Sequence, residues 1–268
     1  MSTLSQDSKP PLRVDRDGAV LTITIDDAPW NRMSLEFMDE LEALVDSLAA
    51  DRSVRAVVIT AEGDENFSVG MNLKQVAGKL GNKTDFFPVL DQRLRVLSAI
   101  ETMGKPFIAT LFGYCLGGGL ELPLACHFRL AAAEGAKIGL PELDLGSVPA
   151  WGGSARLVRC VGRMHALDMI LRARTVSGPE AHRIGLVNEV VPNDRLKQRA
   201  MELATELAAM PPRSVAEMIR CIVEYGDRPL QEGLYQERQA VKATMGTRDS
   251  REGMKAFLEK RKPVFSGE

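Results

Sequence analysis

The chain has 268 residues, of which 45% are hydrophobic, enough to bury a large core in one domain or in one domain with a short appendage. Its 34 basic and 36 acidic residues give a formal net charge of −2, which excludes the general positive field that gathers nucleic acid. The sequence has no apolar run of about 18 residues that could span a bilayer. We therefore expect a globular protein with no nucleic-acid and no membrane partner, in which any anionic ligand is held by a local site.

The cysteines and histidines show no pattern that binds metal. The four cysteines are widely separated and form no Cys-x-x-Cys pair, which predicts reduced thiols in a cytoplasmic protein. The three histidines are scattered singly, which predicts no metal site. These residues are Cys115, Cys126, Cys160, Cys221, His127, His165 and His182.

Two strands and a helix are predicted early in the chain. Residues 19–25 are β-branched and apolar after an Asp17-Gly18 turn, and residues 55–60 give a second buried-strand pattern. Between them, apolar residues recur at spacings of three and four after Ser34, a residue type that caps helices. The order strand, helix, strand predicts a parallel pair of strands joined by a crossover. The apolar helix face comprises Leu35, Phe37, Met38, Leu41, Leu44, Val45 and Leu48.

The same order recurs before helical patterns take over. We predict a strand over residues 105–113, a helix over 118–126, a strand over 127–133, a helix over 154–172, a capping box over 177–180 and further helices over 192–261. Residues 77–89 are expected to form a mobile loop. The fold class is therefore α/β, with a disordered leader over 1–11, a core over 12–193 and a C-terminal helical region over 194–268.

Two glycine-centred loops could stabilise negative charge. The segment GYCLGGGLEL, residues 113–122, follows a strand and opens a helix, so its backbone N–H groups lie uncovered at a helix N-terminus. The segment NFSVGMNLK, residues 66–74, also follows a strand. Two converging amides would form an oxyanion hole for a thioester carbonyl, although a tight strand-to-helix turn explains the first segment equally well. The glycine spacing matches neither a dinucleotide fingerprint nor a phosphate loop.

Two carboxylates are candidates for acid and base catalysis. Glu121 stands on an otherwise apolar helix, where an unpaired carboxylate is costly to bury. Glu142 follows Pro141 after a predicted strand, a position where an exposed loop carboxylate is common. Adding water to a double bond requires one group that activates water and another that delivers a proton. The sequence alone does not place Glu121 beside Glu142.

Three motifs in order and spacing resemble the enoyl-CoA hydratase or crotonase superfamily: NFSVGMNLK, GYCLGGGLELPLAC and IGLPELDLGSVPAWGGSARLVRCVG, followed by DSREGMKAFLEKRKPVF near the C-terminus. The resemblance runs from about residue 20 onward. It implies a crotonase-like fold of repeated ββα units, with a C-terminal helical region that forms trimers or a dimer of trimers. It also implies an acyl-coenzyme A thioester as substrate and no separate cofactor.

The resemblance further assigns roles to single residues. The oxyanion amides are those of Met71 and Gly118, Glu142 protonates the α-carbon, and Glu121 activates the water. Ala150 stands where isomerase, dehydratase and hydrolase relatives commonly place a working carboxylate, which argues against those reactions. Met71, Asn72 and His127 depart from the common family pattern, and Met71 is expected to narrow the acyl pocket.

The family pattern also predicts the substrate-binding residues. Trp151 is expected to wall the acyl pocket, although a core aromatic packed under the turn is an equal interpretation. Phe257 and Lys260 are expected to reach the coenzyme A from a neighbouring subunit. The loop residues expected to contact coenzyme A are Asn66, Ser68, Val69, Gly70, Asn72, Leu73 and Lys74.

The leading hypothesis is an enoyl-CoA hydratase that converts a 2-enoyl-CoA to a 3-hydroxyacyl-CoA. The alternatives are double-bond isomerisation or thioester hydrolysis through the same oxyanion hole, RNA binding through a basic surface, and a non-catalytic homologue. The absence of a clustered basic stripe argues against RNA binding, and the presence of both Glu121 and Glu142 argues against lost catalysis. The sequence leaves the acyl group and the physiological direction open.

Overall fold

The computed structural model describes residues 9–78 and 83–268. The leader expected over residues 1–11 falls mainly on residues 1–8, which lie outside the described residues. The carbonyl of Pro11 accepts a hydrogen bond from the amide of Asp26 at 2.9 Å. Lys9 pairs with the carboxylate of Asp26 at 2.6 Å.

Eight strands form a large sheet and a small one. The strands are β1 Leu12–Asp17, β2 Val20–Ile25, β3 Ala56–Ala61, β4 Phe107–Leu111, β5 Tyr114–Leu116, β6 Phe128–Ala132, β7 Lys137–Gly139 and β8 Glu189–Val191. The six-stranded sheet has the order β1-β2-β3-β4-β6-β8, and β5 pairs with β7. Only the β1–β2 pair is antiparallel among these strands. Every residue of β3 and β4 is buried, as expected for parallel strands covered on both faces.

Ten helices surround the two sheets in the described part of the chain. They are α1 Leu35–Ala50, α2 Leu73–Val76, α3 Lys83–Thr102, α4 Gly118–Ala125, α5 Gly153–Leu171, α6 Gly178–Arg183, α7 Leu196–Ala208, α8 Pro212–Tyr225, α9 Leu230–Thr244 and α10 Arg248–Leu258. None of them is long and apolar enough to cross a membrane.

Helix α1 has the predicted cap and the predicted buried face. The hydroxyl of Ser34 accepts a hydrogen bond from the amide of Phe37 at 3.0 Å, which satisfies one of the N–H groups left open at a helix start. The helix lies between β2 and β3, which pair in parallel as predicted. Its buried residues are Phe37, Met38, Leu41, Val45 and Leu48.

The prediction of a mobile loop over residues 77–89 is wrong for residues 83–89. Helix α3 begins at Lys83 and includes Pro88, while residues 79–82 lie outside the described residues. Pro88 removes one hydrogen bond near the helix start, but it does not break the helix. Val96, Leu97 and Ile100 are buried in the core further along α3, so packing of the apolar face outweighs the proline.

The chain is mainly helical between Asn193 and Leu258, as predicted, but its helices differ in their surroundings. Helix α7 packs across β3 and β4 and buries Leu196, Ala200, Ala204 and Ala208. Helix α8 has no buried residue, although one of its faces is strongly apolar. The division of the chain at residues 193 and 194 stays a prediction.

Candidate active site

The two glycine loops predicted from the sequence lie against each other. Ser68 and Cys115 form a parallel bridge, and the carbonyl of Ser68 accepts a hydrogen bond from the amide of Leu116 at 3.0 Å. A β-carbon on Gly70 would lie 3.0 Å from the amide nitrogen of Gly118. Gly70 also has a φ of +86°, which side chains rarely adopt. Glycine at position 70 therefore allows the loops to meet.

Two backbone N–H groups are left open where the loops meet. Met33 bonds to the residues on either side of Met71: its amide donates to Gly70 at 2.8 Å, and its carbonyl accepts from Asn72 at 3.0 Å. In a parallel bridge this arrangement turns the N–H of Met71 away from Met33. The amide of Gly118 lies in the first turn of α4, where helical N–H groups have no partner. Neither amide donates to another described residue.

Both residues line a cavity of about 560 Å³. Its wall is mainly apolar, with a few polar groups, as is typical of small-molecule sites. Glu121 and Glu142 line the same cavity, so the fold brings together the two carboxylates that the sequence could not place. The lining residues are Val69, Met71, Leu73, Phe86, Leu90, Leu116, Gly117, Gly118, Glu121, Pro141, Glu142, Asp144, Leu145, Ser147, Val148, Ala150 and Trp151.

Glu121 is almost fully buried, with 2% of its surface exposed. Its Oε1 accepts hydrogen bonds from the amides of Trp151 at 2.7 Å and Gly153 at 2.8 Å. Burial and, to a smaller extent, the nearby Glu142 raise the pKa of Glu121, while the amides of Gly153 and Trp151 and the charge of Arg156 lower it, and the net result is a pKa of about 7. The carboxyl group is therefore poised to exchange a proton near neutral pH.

Glu142 lines the same cavity and lies next to Gly117. It begins a 3₁₀ turn, Glu142–Leu145, directly after Pro141. Its Oε1 lies 2.9 Å from where a β-carbon on Gly117 would stand, and the carbonyl of Gly117 accepts from the amide of Glu121. Burial also raises the pKa of Glu142. Its Oε2 is buried with no hydrogen-bond donor among the described residues.

Trp151 closes one wall of the cavity. A β-carbon on Gly118 would lie 2.4 Å from Cζ3 of Trp151, so the indole packs directly on that glycine. The same ring is buried in the core. Trp151 is therefore both a core aromatic and a wall of this cavity, and its contact with an acyl group stays a prediction.

The other predicted binding residues fall into three groups. Val69 and Leu73 line the cavity. Asn66 and Ser68 instead support the loop from within: the Asn66 side chain accepts from the amide of Tyr114 at 2.9 Å, and the Ser68 hydroxyl accepts from the amide of Gly70 at 3.0 Å. The residues Gly70, Asn72, Lys74, Phe257 and Lys260 do not line the cavity, and Lys74, Phe257 and Lys260 are exposed.

Sequence reasoning missed part of the apolar wall. Phe86 and Leu90 come from α3, in the segment expected to be a loop, and Leu145 and Val148 follow Glu142. The spacing of four between Phe86 and Leu90 is a helical signal, but the nearby Pro88 obscured it.

No group of three histidine, cysteine, aspartate or glutamate side chains in residues 9–78 and 83–268 could hold a metal ion. Each of the four cysteines is a free thiol.

Comparison with known proteins identifies the family. The profile of the enoyl-CoA hydratase/isomerase family matches residues 15–268. The chain belongs to this family. It is 37% identical to a probable enoyl-CoA hydratase of Bacillus subtilis over 258 residues, covering 96% of this chain and 98% of that protein. It is 35% identical to the 2,3-dehydroadipyl-CoA hydratase of Escherichia coli over 262 residues, covering 96% and 98% of the two chains.

A solved structure agrees with this assignment. The enoyl-CoA hydratase of Bacillus anthracis superposes with a TM-score of 0.92 at 34% identity, covering 96% of this chain and all of the other. The crotonase-like fold expected from the sequence is confirmed, and the family assignment extends over nearly the whole chain.

Proposed function

We propose that this protein is an enoyl-CoA hydratase, a hydro-lyase that adds water across the α,β double bond of a 2-enoyl-CoA to give a 3-hydroxyacyl-CoA. One observation supports this most strongly: two carboxylates and two open backbone amides line a single, mainly apolar cavity. Membership of the enoyl-CoA hydratase/isomerase family gives this geometry its chemical context.

The amides of Met71 and Gly118 form the oxyanion hole in this proposal. They donate to the thioester oxygen, which gains negative charge as an enolate forms. Donors of this kind contribute roughly 3 to 4 kcal/mol each in measured acyl-transfer enzymes. Because both donors are fixed by the backbone, they need no reorganisation as the charge develops.

Glu121 and Glu142 supply the proton transfers. Glu121 removes a proton from water as the oxygen attacks the β-carbon, and Glu142 delivers a proton to the α-carbon. The pair therefore works with one proton held between its two carboxyl groups. Glu121 keeps one oxygen on the amides of Trp151 and Gly153, which fixes its orientation and leaves the other oxygen for water.

The coenzyme A portion of the substrate is proposed to lie along the loop over residues 66–74, and no separate cofactor takes part. Phe257 has 78% of its surface exposed and is proposed, with Lys260, to contact coenzyme A bound to a neighbouring subunit. This arrangement requires an oligomer, which by the resemblance to the family is proposed to be a trimer or a dimer of trimers. The free thiols support a cytoplasmic setting.

The cavity wall favours an apolar acyl group next to the reacting carbons. Phe86, Leu90 and Val148 offer only apolar contacts. The isomerase and hydrolase alternatives gain no support, because the wall has Ala150 where those relatives place a carboxylate.

The decisive experiment compares wild type with Glu121→Gln and Glu142→Gln, which keep the side-chain shapes. Loss of the conjugated chromophore of a panel of enoyl-CoA thioesters is followed together with product mass. We expect both variants to lose at least about a hundredfold in kcat, the scale of lost acid and base catalysis. Asp144→Asn is the matched comparison, since Asp144 lines the same cavity. A larger loss in Asp144→Asn than in either glutamate variant, or product that has gained no water, contradicts the proposal.

A further inference from the structure

Arg93 is a buried cation with no ion-pair partner among the described residues. It lies on α3 with 1% of its surface exposed and is among the largest fully buried side chains. Its Nη1 donates to the carbonyl of Val89 at 3.1 Å and to Oε1 of Gln92 at 2.7 Å, both on its own helix. Its Nε and Nη2 are buried and make no hydrogen bond to any described residue.

The environment leaves Arg93 charged. Burial lowers the pKa of its guanidinium to about 10, well above neutral pH. Asp39 and Glu42 on α1 raise this pKa, but neither forms an ion pair with Arg93. The side chain of Gln92 lies between them and Arg93, and it donates hydrogen bonds to Asp39 at 2.7 Å and to Glu42 at 2.9 Å. A buried cation without a paired anion is unfavourable, and an apolar residue of similar volume is usually tolerated better. The fold therefore needs another partner for this charge.

That partner is the indole of Trp151. The guanidinium carbon of Arg93 lies 5.7 Å from the centroid of the Trp151 ring, within the range of a cation–π interaction. Such an interaction is strongest where the cation is desolvated, as Arg93 is. It also explains why Nε and Nη2 have no conventional acceptor.

Trp151 links this contact to the reacting groups. Its ring packs on Gly118, and its amide donates to Glu121 at 2.7 Å. Its carbonyl accepts from Arg156 at 2.8 Å, and Arg156 is in turn paired with Glu101. The backbone of Trp151 is thus fixed by Glu121 and Arg156, whereas Arg93 is the charged side chain that lies over its ring.

We propose that Arg93 is a positioning residue, which holds the indole of Trp151 against Gly118 and thereby fixes the wall of the acyl cavity beside Glu121. The kinetic consequences rest on the proposed hydratase function, but the contact itself does not. Arg93 does not line the cavity, and it acts only through Trp151.

Removing the positive charge at position 93 should loosen the indole of Trp151, provided that the new side chain still fills the space that Arg93 occupies. Methionine at position 93 fills a similar volume and removes the charge. Arg95→Met is the matched control, because Arg95 lies two residues away on α3 and its exposed guanidinium pairs with Glu42 at 2.7 Å. Arg93→Lys keeps the charge but loses the planar group, so it should rescue part of the effect.

The first measurement is tryptophan fluorescence. The chain has two tryptophans, Trp30 and Trp151, so Trp30→Phe leaves Trp151 as the only indole reporter. In this background Arg93→Met should shift the Trp151 emission to longer wavelength and increase its quenching by acrylamide. Arg95→Met should change neither. This measurement needs no substrate, so it decides the contact even for a chain that hydrates no enoyl-CoA.

The second measurement is kinetic and uses the otherwise unaltered chain. We expect Arg93→Met to lower kcat/KM for a good enoyl-CoA substrate by about tenfold, because a displaced indole misplaces the cavity wall and Glu121 relative to the reacting carbons. A displaced Trp151 also weakens its hydrogen bond to Glu121, and loss of that bond raises the pKa of the Glu121 carboxyl. The fall in activity at alkaline pH should therefore move to higher pH. The charged groups facing Glu121 are Glu142 and Arg156, which both variants retain.

The combined outcomes decide the proposal. Altered emission and quenching in Arg93→Met, with partial return in Arg93→Lys, support the contact, and the shifted pH profile supports its positioning role. If Arg93→Met matches Arg95→Met in emission, quenching and pH profile, Arg93 only fills space and the proposal is overturned. Inactivity of the wild type would count against the hydratase function and not against the contact.

Discussion

Opposing influences set the pKa of Glu121 close to neutral pH. Burial and the neighbouring Glu142 favour the protonated form, and the amides of Trp151 and Gly153 favour the ionised form. Groups that interact this closely titrate as a pair, so the pH dependence of activity reports the pair and not one residue.

The proposed mechanism therefore predicts a bell-shaped pH dependence of kcat/KM. The productive pair holds one proton. Below its lower pKa both carboxyls are protonated and no base remains, and above its upper pKa both are ionised and no acid remains. Since the pKa of Glu121 is raised to about 7, the alkaline fall should begin near that pH. The measurement is kcat/KM for one enoyl-CoA across the pH range in which the protein stays folded. A profile that is flat on both sides of neutrality contradicts the shared-proton mechanism.

At this scale the sequence predicts some site residues better than others. Glu121 stands out because a carboxylate on an apolar helix calls for an explanation. Glu142 has no such local signal, and only the resemblance and then the fold place it beside Gly117. Arg93 gives no signal at all, because an arginine on an amphipathic helix is normally solvated, and its burial follows from how α3 packs.

At the scale of elements, the cap of α1 offers a quantitative test. Ser34→Ala removes the acceptor for the amide of Phe37, and we expect a loss of about 1 kcal/mol in the free energy of unfolding. Ser47→Ala is the matched control, because Ser47 lies within the same helix, where alanine is the better helix former. Chemical denaturation of the two variants measures the difference. Equal stabilities would show that the cap contributes nothing measurable.

Elements with a clear periodicity of apolar residues were predictable from the sequence, and an element that also contains loop-forming residues was not. The spacing of apolar residues and a serine cap identify α1, and the β-branched runs identify β2 and β3. For α3, the glycine, asparagine and proline near its start indicated a loop. The contacts of Val96, Leu97 and Ile100 with the core decide the outcome, and these contacts are not visible in local sequence.

At the scale of the whole molecule, the C-terminal helices present apolar surface that no other described residue covers. Exposed apolar side chains occur on α8, α9 and α10, among them Ile222, Leu234, Tyr235 and Phe257. Exposed apolar side chains mark a protein interface where they form a contiguous patch. We expect the protein to sediment at three or six times the 29.3 kDa mass of one chain.

The proposed contact between neighbouring subunits makes a sharper prediction. Phe257→Ala should raise KM for an enoyl-CoA by about three- to tenfold, the scale of a lost aromatic contact, with kcat little changed. Mixing Phe257→Ala subunits with subunits that carry both Glu121→Gln and Glu142→Gln should restore low-KM activity. Such complementation requires the intact Phe257 of one subunit to serve the intact glutamates of another. Its failure in proven mixed oligomers would place Phe257 outside the site.

The main-chain origin of the two proposed oxyanion donors has an evolutionary consequence. At both Met71 and Gly118 the backbone N–H survives every substitution except proline. Mutational drift therefore leaves the part of the site that stabilises an enolate largely intact, while the carboxylates remain free to vary. A lineage built on this scaffold can exchange one reaction of an enolate for another by changing a few side chains.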